Sequence, residues 1–143
     1  MAPERPAGFL HDWYDARALL AAEWAPAIVG ALLDGPLPYK DILAAAGAAR
    51  PGMRWGGRHR QLHDSILSRS LQAMTGDGLL ERHETPGTFP PTVYYCLTDA
   101  CRELAEAATP LAEWSARHRD VIERAQSRRT RTGRLRRAVD AAS

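Results

Sequence analysis

The sequence predicts a mainly helical domain with one small β-hairpin, an α+β class in which helices dominate. Apolar residues recur three and four positions apart over much of the first 75 residues, which is typical of amphipathic helices. A predicted strand at 79–83 and a second one at 92–97, rich in β-branched and aromatic residues, then flank a turn with three prolines and one glycine. A heptad-spaced pattern of apolar residues follows and predicts a long helix.

The size and composition fit one globular domain with tails. The chain has 143 residues, of which 45% are hydrophobic and 25% are charged. No apolar run approaches the roughly 20 residues of a membrane span, and the first residues lack the pattern of a secretory signal. We therefore expect a cytoplasmic protein without membrane contact. Two cysteines, Cys96 and Cys101, are too few for a disulfide framework, and core packing is the predicted role of both.

Four helices are predicted before the hairpin. The first spans residues 7–22, and the second begins near Pro26, because proline fits only the first turn of a helix. The second ends at the glycine and proline of residues 34–36. Residues 38–46 form a short third helix and residues 63–75 a fourth.

A glycine-rich basic loop separates the third and fourth helices at residues 48–60. Its arginines, Arg50, Arg54, Arg58 and Arg60, favour phosphate contacts, and Trp55 predicts an anchor or a ligand contact. The alternative is a mobile, solvated insertion, because loop length changes the entropy of folding little.

The hairpin and a long helix complete the pattern. Strands are predicted at 79–83 and 92–97, and Thr98 is a predicted helix N-cap. The following helix, residues 99–126, carries the heptad seam, with a kink expected about one turn before Pro110. Residues 127–143 have no sustained apolar period, so we expect a flexible tail.

Charge is distributed unevenly along the chain. Residues 1–116 contain ten basic and fourteen acidic residues, whereas residues 117–143 contain nine arginines and three acids. The basic end favours a polyanionic partner such as DNA. The alternative is a solubilising tail that contacts nothing.

The order of these elements is that of a winged helix-turn-helix with an N-terminal helix and a long C-terminal dimerisation helix. The predicted domains are an N-terminal helical extension at 1–22, the winged helix-turn-helix at 23–98, the dimerisation helix at 99–126 and the tail at 127–143. The helix at 63–75 is the predicted recognition helix, because a helix about 10 Å across fits a major groove about 12 Å wide.

Several separated motifs between residues 20 and 115 resemble the HxlR-type winged-helix transcriptional regulators. They are Asp34-Gly35-Pro36, Asp77-Gly78-Leu79, Pro90-Pro91-Thr92-Val93-Tyr94-Tyr95-Cys96-Leu97-Thr98 and Trp114, in the family's order and spacing. The resemblance implies a homodimeric, cytoplasmic DNA-binding regulator. Some members sense oxidants through an N-terminal cysteine, but residues 1–24 contain none, so such sensing is not expected here.

Candidate site residues follow from the fold positions. The predicted base contacts are Ser65, Ser68, Arg69 and Gln72, among which Arg69 is best suited to bind guanine. The predicted phosphate contacts are Tyr39, Lys40, Arg58, Arg60, His63 and Arg82. The predicted wing residues are Thr85, Gly87, Thr88 and Thr92, and the predicted dimer interface comprises Trp13, Leu104, Leu111, Trp114 and Val121.

Other functions have less support in the sequence. No catalytic or nucleotide-binding motif is present, so neither an enzyme nor a cofactor is predicted. His59 and His63 lack partner ligands, so no metal site is predicted. The alternative function is a winged helix that binds a small molecule or a protein, with weak or no DNA binding. A pocket for a small aromatic effector between the N-terminal and C-terminal helices also remains open.

Overall fold

The computed structural model describes residues 3–49, 53–56 and 61–143, and these ranges contain six α-helices and three strands. In chain order the elements are α1 Phe9–Leu19, α2 Ala25–Leu32, β1 Leu37–Pro38, α3 Tyr39–Gly47, a 3-10 turn Met53–Trp55, α4 Asp64–Gly76, β2 Leu80–Glu84, β3 Val93–Leu97, α5 Asp99–Arg117 and α6 Arg119–Ala142. The predicted class, mainly helical with a small β-hairpin, is confirmed.

The helix ends follow the local sequence. Pro26 lies in the first turn of α2, where its missing N–H leaves no hydrogen bond unmade. At the end of α4 the amide of Leu79 donates to the carbonyl of Met74 over 2.9 Å, and Gly78 adopts a φ of 82°. This Schellman motif needs the left-handed conformation that glycine adopts without strain, so Gly78 turns the chain directly into β2.

The sheet has one strand more than the sequence predicted. Its order is β1-β3-β2, and both pairs of strands are antiparallel. The extra strand is the two-residue β1, in which Leu37 pairs with Tyr95. β1 leads directly into α3, so β3 is the central strand and connects the hairpin to the helices.

One hydrophobic core joins α2, α3, α4 and the sheet. Ile28, Leu32, Ile42 and Leu67 are fully buried in it, together with Cys101 at the start of α5. Thr98 caps α5, as predicted, because its Oγ1 accepts a hydrogen bond from the amide of Cys101 over 3.2 Å. The same hydroxyl donates to the carbonyl of Gly78 over 2.8 Å, so one side chain links the end of α4 to the start of α5.

The first helix lies outside this core. Within the described part of the chain, none of the α1 residues is buried, and Trp13 and Tyr14 are 59% and 60% exposed. The apolar side of α1 is therefore uncovered in a single copy of the chain.

None of the described helices is both long enough and apolar enough to cross a membrane.

The C-terminal helices differ from the predicted arrangement in two ways. First, α5 passes through Pro110, and the helix breaks at His118, whose φ and ψ are −116° and 44°. The His118 ring stacks on Trp114 at a centroid distance of 4.6 Å. The single helix predicted at 99–126 is therefore two helices, and the heptad seam does not continue along one axis.

Second, residues 127–142 are helical, so the prediction of a flexible tail is wrong for them. They belong to α6, which contains eight arginines, and arginine is a strong helix former even without an apolar period. The 3-10 turn in the inserted loop also contacts this helix. The guanidinium carbon of Arg129 lies 4.9 Å from the Trp55 ring centroid, which is a cation–π contact.

Candidate nucleic-acid interface

The fourth helix, α4, separates an apolar side from a polar side. Leu67, Leu71 and Met74 are buried, because residues three and four apart share one helix face. The four predicted base-contacting residues, Ser65, Ser68, Arg69 and Gln72, are all exposed on the other side. The structure therefore brings them together on one accessible surface of α4.

That surface borders two different depressions. Ser68 and Gln72 line a groove of about 340 Å³ whose other wall is formed by Arg82 and Tyr95 of the hairpin. Arg69 lines a cleft of about 750 Å³ between α4 and α1. Of the predicted base contacts, Ser68 and Gln72 thus lie on the hairpin side of the helix and Arg69 on its α1 side.

The hairpin has chemically different faces, because side chains of a strand alternate. Leu80 of β2 is buried in the core, so Arg82 and Glu84 share its side and face α4. Arg82 Nη1 donates to Glu84 Oε1 over 3.0 Å, and both side chains are about half exposed. The hairpin cation that lines the groove beside the predicted recognition helix is therefore paired with a carboxylate in the free protein.

The hydroxyl of Tyr39, a predicted phosphate contact, has partners within the protein. Its hydroxyl lies 3.0 Å from the carbonyl oxygen and from Oδ1 of Asp64, and 3.4 Å from Ser68 Oγ. Burial, the largest influence, raises the pKa of Tyr39 above its ordinary value, so the hydroxyl keeps its proton and can donate it. Tyr39 holds the first turn of α4 against α3.

Two other predicted phosphate contacts, Lys40 and His63, lie at the starts of helices. Lys40 is exposed in the first turn of α3, and His63 is exposed at the N-cap position of α4. Arg58 and Arg60 lie outside the described residues. Among these residues, His63 therefore lies at the start of α4, Arg82 lies on its hairpin side and Lys40 lies at the start of α3.

The turn of the hairpin is compact. The Thr85 amide donates to the Thr92 carbonyl over 2.9 Å, and Thr88 Oγ1 donates to the Thr85 carbonyl over 3.2 Å. Gly87 has a φ of 81°, a backbone conformation that other residues rarely adopt. The four predicted wing residues, Thr92 included, thus lie together at the tip, and none of them carries a charge.

The predicted dimer residues divide into two groups. Trp13, Leu111, Trp114 and Val121 are 59%, 64%, 39% and 46% exposed. Leu104 instead packs against the core of its own chain. Leu104 therefore contributes to folding of the monomer, and the other four remain available for a partner.

Sequence reasoning missed the groove between α4 and the hairpin. Tyr95 lines it, and its pairing with Arg82 follows from the strand register. The alternation of the two strands could have placed both side chains on one face. Their proximity to Ser68 and Gln72 required the packing of α4 on the sheet.

The fold and the motifs identify the family. A model of the HxlR-like helix-turn-helix family matches residues 19–123, which include every element from α2 to α5. The chain belongs to the HxlR-like helix-turn-helix family. This HxlR-like chain has the winged helix-turn-helix fold that the sequence predicted.

Curated relatives of this HxlR-like chain carry names of regulators. The uncharacterised HTH-type transcriptional regulator YtfH of Escherichia coli K12 is 28% identical over 95 residues, and its Shigella flexneri counterpart matches equally. The aligned part covers 66% of this chain and spans 64% of the length of those relatives.

Solved structures share the fold of this HxlR-like chain. Diamide-treated YodB of B. subtilis is 22% identical, with a TM-score of 0.57 over 82% of this chain and 95% of that one. A protein assigned to the MarR regulator family of Enterococcus faecalis V583 is 20% identical, with a TM-score of 0.65 over 86% and 97%. The reduced form of the redox regulator HypR is 20% identical, with a TM-score of 0.62 over 78% and 97%.

Proposed function

We propose that this chain is a homodimeric transcriptional regulator that binds a near-palindromic operator through α4 and the hairpin. The observation that carries the proposal is the exposed polar face of α4, bordered on one side by Arg82 and Tyr95. A helix with this kind of face enters the major groove, and a wing beside it contacts the adjacent backbone. We propose the cytoplasm as its location, as the sequence predicted.

Base readout would come from α4. Ser68 and Gln72 carry short polar groups that donate and accept hydrogen bonds at base edges, and Gln72 can bind adenine with two bonds. Arg69 can bind guanine in the same way. Its Nε donates to the carbonyl of Ser65 over 3.3 Å, which leaves the terminal nitrogens of the guanidinium for a base.

Phosphate contacts would come from cations around this face. Lys40 and His63 lie at the starts of α3 and α4, and Arg82 lies across the groove. Such contacts set the register of a protein on DNA without reading sequence. The eight arginines of α6 add a further cationic surface, which supports non-specific attraction to the duplex.

Dimerisation would cover the apolar residues that the monomer leaves exposed. Trp13 on α1, Leu111 and Trp114 on α5 and Val121 on α6 have large apolar side chains and belong to helices near the two ends of the chain. Large exposed apolar side chains are candidates for a protein interface. Two copies would present their α4 helices to half-sites one DNA turn apart, roughly 10 base pairs.

An effector site is a second part of the proposal. The sequence suggested a pocket between the N-terminal and C-terminal helices. A cleft of about 750 Å³ lies between α1 and α4, where apolar Ile66 and Met74 are joined by Asp15, Arg69 and Asp77. A small aromatic effector that binds there would contact the recognition helix directly. The alternative function without DNA binding is not favoured, because the family and the named relatives are regulators.

The test uses the full-length chain and the DNA upstream of its own gene. Fluorescence anisotropy should show affinity well above that for a random duplex of equal length, and footprinting should show two protected half-sites. A Ser68→Ala/Arg69→Ala/Gln72→Ala variant should discriminate much less between the two duplexes, because it keeps the phosphate contacts and loses most of the base readout. Equal wild-type affinity for upstream and random DNA at every salt concentration would contradict the proposal.

A further inference from the structure

The outer face of the hairpin collects three side chains of different chemistry. Glu81 and His83 alternate with Arg82 on β2, so they point away from α4. The strand register pairs Glu81 with Cys96 of β3, so Cys96 lies on the same outer face. The backbone of the hairpin thus fixes a carboxylate, an imidazole and a thiol in one small area.

The donor atoms of these side chains converge. His83 Nε2 lies 3.1 Å from Glu81 Oε2, and Cys96 Sγ lies 3.9 Å from the same oxygen. All three ligand atoms lie within 4.8 Å of one another. The side chains of Glu81 and His83 are 56% and 43% exposed, and Cys96 is partly buried, so an ion can reach the cluster from solvent.

These separations suit one small tetrahedral cation. Zinc binds oxygen and nitrogen at about 2.0–2.2 Å and sulfur at about 2.3 Å, which separates tetrahedral ligands by roughly 3.3–3.8 Å. The distances of 3.1 and 3.9 Å from Glu81 are close to that range, and the remaining separation, between His83 and Cys96, is at most 4.8 Å and would shorten by side-chain rotation on binding. A mixed set of sulfur, nitrogen and oxygen ligands favours a late first-row metal over magnesium or calcium.

We propose that Glu81, His83 and Cys96 form a three-ligand site for a divalent late first-row metal ion, zinc above all. The fourth position faces solvent and takes a water molecule. On binding, Cys96 loses its proton to solvent and coordinates as thiolate, His83 coordinates through Nε2 as neutral imidazole, and Glu81 coordinates as carboxylate. The site does not depend on DNA binding and goes beyond the proposed regulatory function.

The surroundings of Cys96 disfavour a free, redox-active thiolate in the metal-free protein. Burial, and then the Glu81 carboxylate, raise the pKa of Cys96, whereas Arg102 lowers it less. A thiol with a raised pKa is a poor nucleophile near neutral pH, so it reacts slowly with oxidants. A bound divalent cation removes this unfavourable effect on the thiolate, because the Glu81 carboxylate then coordinates the cation together with Cys96.

A bound ion would change the hairpin in two ways. It would join β2 to β3 through side chains, in addition to the main-chain ladder between Glu81 and Cys96. It would also add one positive charge to this face, because a dication enters and one thiol proton leaves. Metal binding at this site would therefore alter the rigidity and the charge of the hairpin.

The experiment is a metal titration of the reduced, full-length protein without DNA. Zinc is competed against a chromophoric chelator, and cobalt(II) is added separately to detect thiolate-to-metal charge-transfer absorption. We expect one zinc per chain. Cys96→Ser, His83→Gln and Glu81→Gln should each weaken binding by roughly 10–100-fold or more, because even loss of an outer-shell partner has that effect. Cys96→Ser should also abolish the cobalt charge-transfer band.

Matched controls separate this cluster from general surface binding. Glu84→Gln removes a carboxylate from the opposite face of β2, and His11→Ala removes a histidine of α1, so neither should alter zinc affinity. Zinc should slow alkylation of Cys96, while Cys101 is protected by full burial with or without metal. Circular dichroism should show that the three ligand variants remain folded.

Two results would overturn the proposal. One is zinc affinity in the wild type no higher than in a Cys96→Ser/His83→Gln double variant that is folded. The other is tight binding that any of the three single substitutions leaves unchanged. Loss of binding in all three single variants, with both control variants unaffected, supports it.

Discussion

The hydroxyl of Tyr39 lies 3.0 Å from the carbonyl oxygen of Asp64 and joins the first residue of α3 to the first residue of α4. The sequence suggested that this tyrosine contacts phosphate. In the structure its hydroxyl is already bonded within the protein, so we infer that Tyr39 positions the recognition helix.

Tyr39→Phe should therefore destabilise the free protein. The substitution keeps the ring and removes only the hydroxyl, so we expect a loss of about 1 kcal/mol in the free energy of unfolding. Urea denaturation without DNA measures it. Tyr14→Phe is the control, because Tyr14 is 60% exposed and the described residues give its hydroxyl no partner. If Tyr39→Phe is as stable as the wild type but binds DNA more weakly, Tyr39 contacts phosphate instead.

Arg82 and Glu84 should have opposite effects on DNA binding. Arg82→Ala should lower the slope of log affinity against log salt by about one, because one phosphate loses its cation. Arg82→Lys should keep the slope, since the charge remains. Glu84→Gln should strengthen binding, because it frees Arg82 from a carboxylate 3.0 Å away. If salt titrations give all three variants the slope and the affinity of the wild type, Arg82 is not part of the interface.

Arg69 and Gln72 should read different base pairs. Each change to alanine should reduce discrimination at one operator position by about 1–3 kcal/mol, the usual range for a bidentate contact. Binding to a set of operators with single base-pair changes identifies the position. If Arg69→Ala weakens binding to all of them equally, Arg69 contacts phosphate and not a base.

Leu111→Glu should dissociate the proposed dimer. Leu111 is 64% exposed in the monomer, and a carboxylate buried in an apolar interface is strongly unfavourable. We expect the dissociation constant to rise by roughly 30-fold or more, as for a hot-spot residue. Sedimentation or light scattering measures it. Phe89→Glu, a change at a fully exposed residue of the hairpin turn, should leave the oligomeric state unchanged.

Thr98→Val should destabilise the domain by about 1 kcal/mol, because it removes the N-cap of α5. It also removes the bond to the Gly78 carbonyl. Thr98→Ser keeps both hydrogen bonds and should retain most of the stability. Thermal unfolding of the two variants compares them, and equal melting temperatures would show that the cap contributes nothing measurable.

Patterns within single elements were sufficient for most of the fold. The apolar spacing around Leu67 and Leu71 predicted α4, and Thr98 predicted the start of α5, because both depend on local chemistry. β1 could not be found in this way. A two-residue strand exists only through its pairing with Tyr94 and Tyr95, which are distant in the sequence.

The candidate sites depended more on tertiary structure. The exposed face of α4 followed from periodicity, whereas the pairing of Tyr39 with Asp64 required the packing of α3 against α4. The cluster of Glu81, His83 and Cys96 required the register of the hairpin, which the sequence left open. The helicity of residues 127–142 was missed because arginine favours helix without producing an apolar stripe.

The central position of β3 limits how this protein can adapt to its target. The strand is held by β2 on one side and, through β1, by the start of α3 on the other. A shift of the hairpin base would displace the helices that orient α4. In the proposed DNA complex, differences in groove width between one DNA sequence and another would then be accommodated mainly by the uncharged turn of residues 85–92.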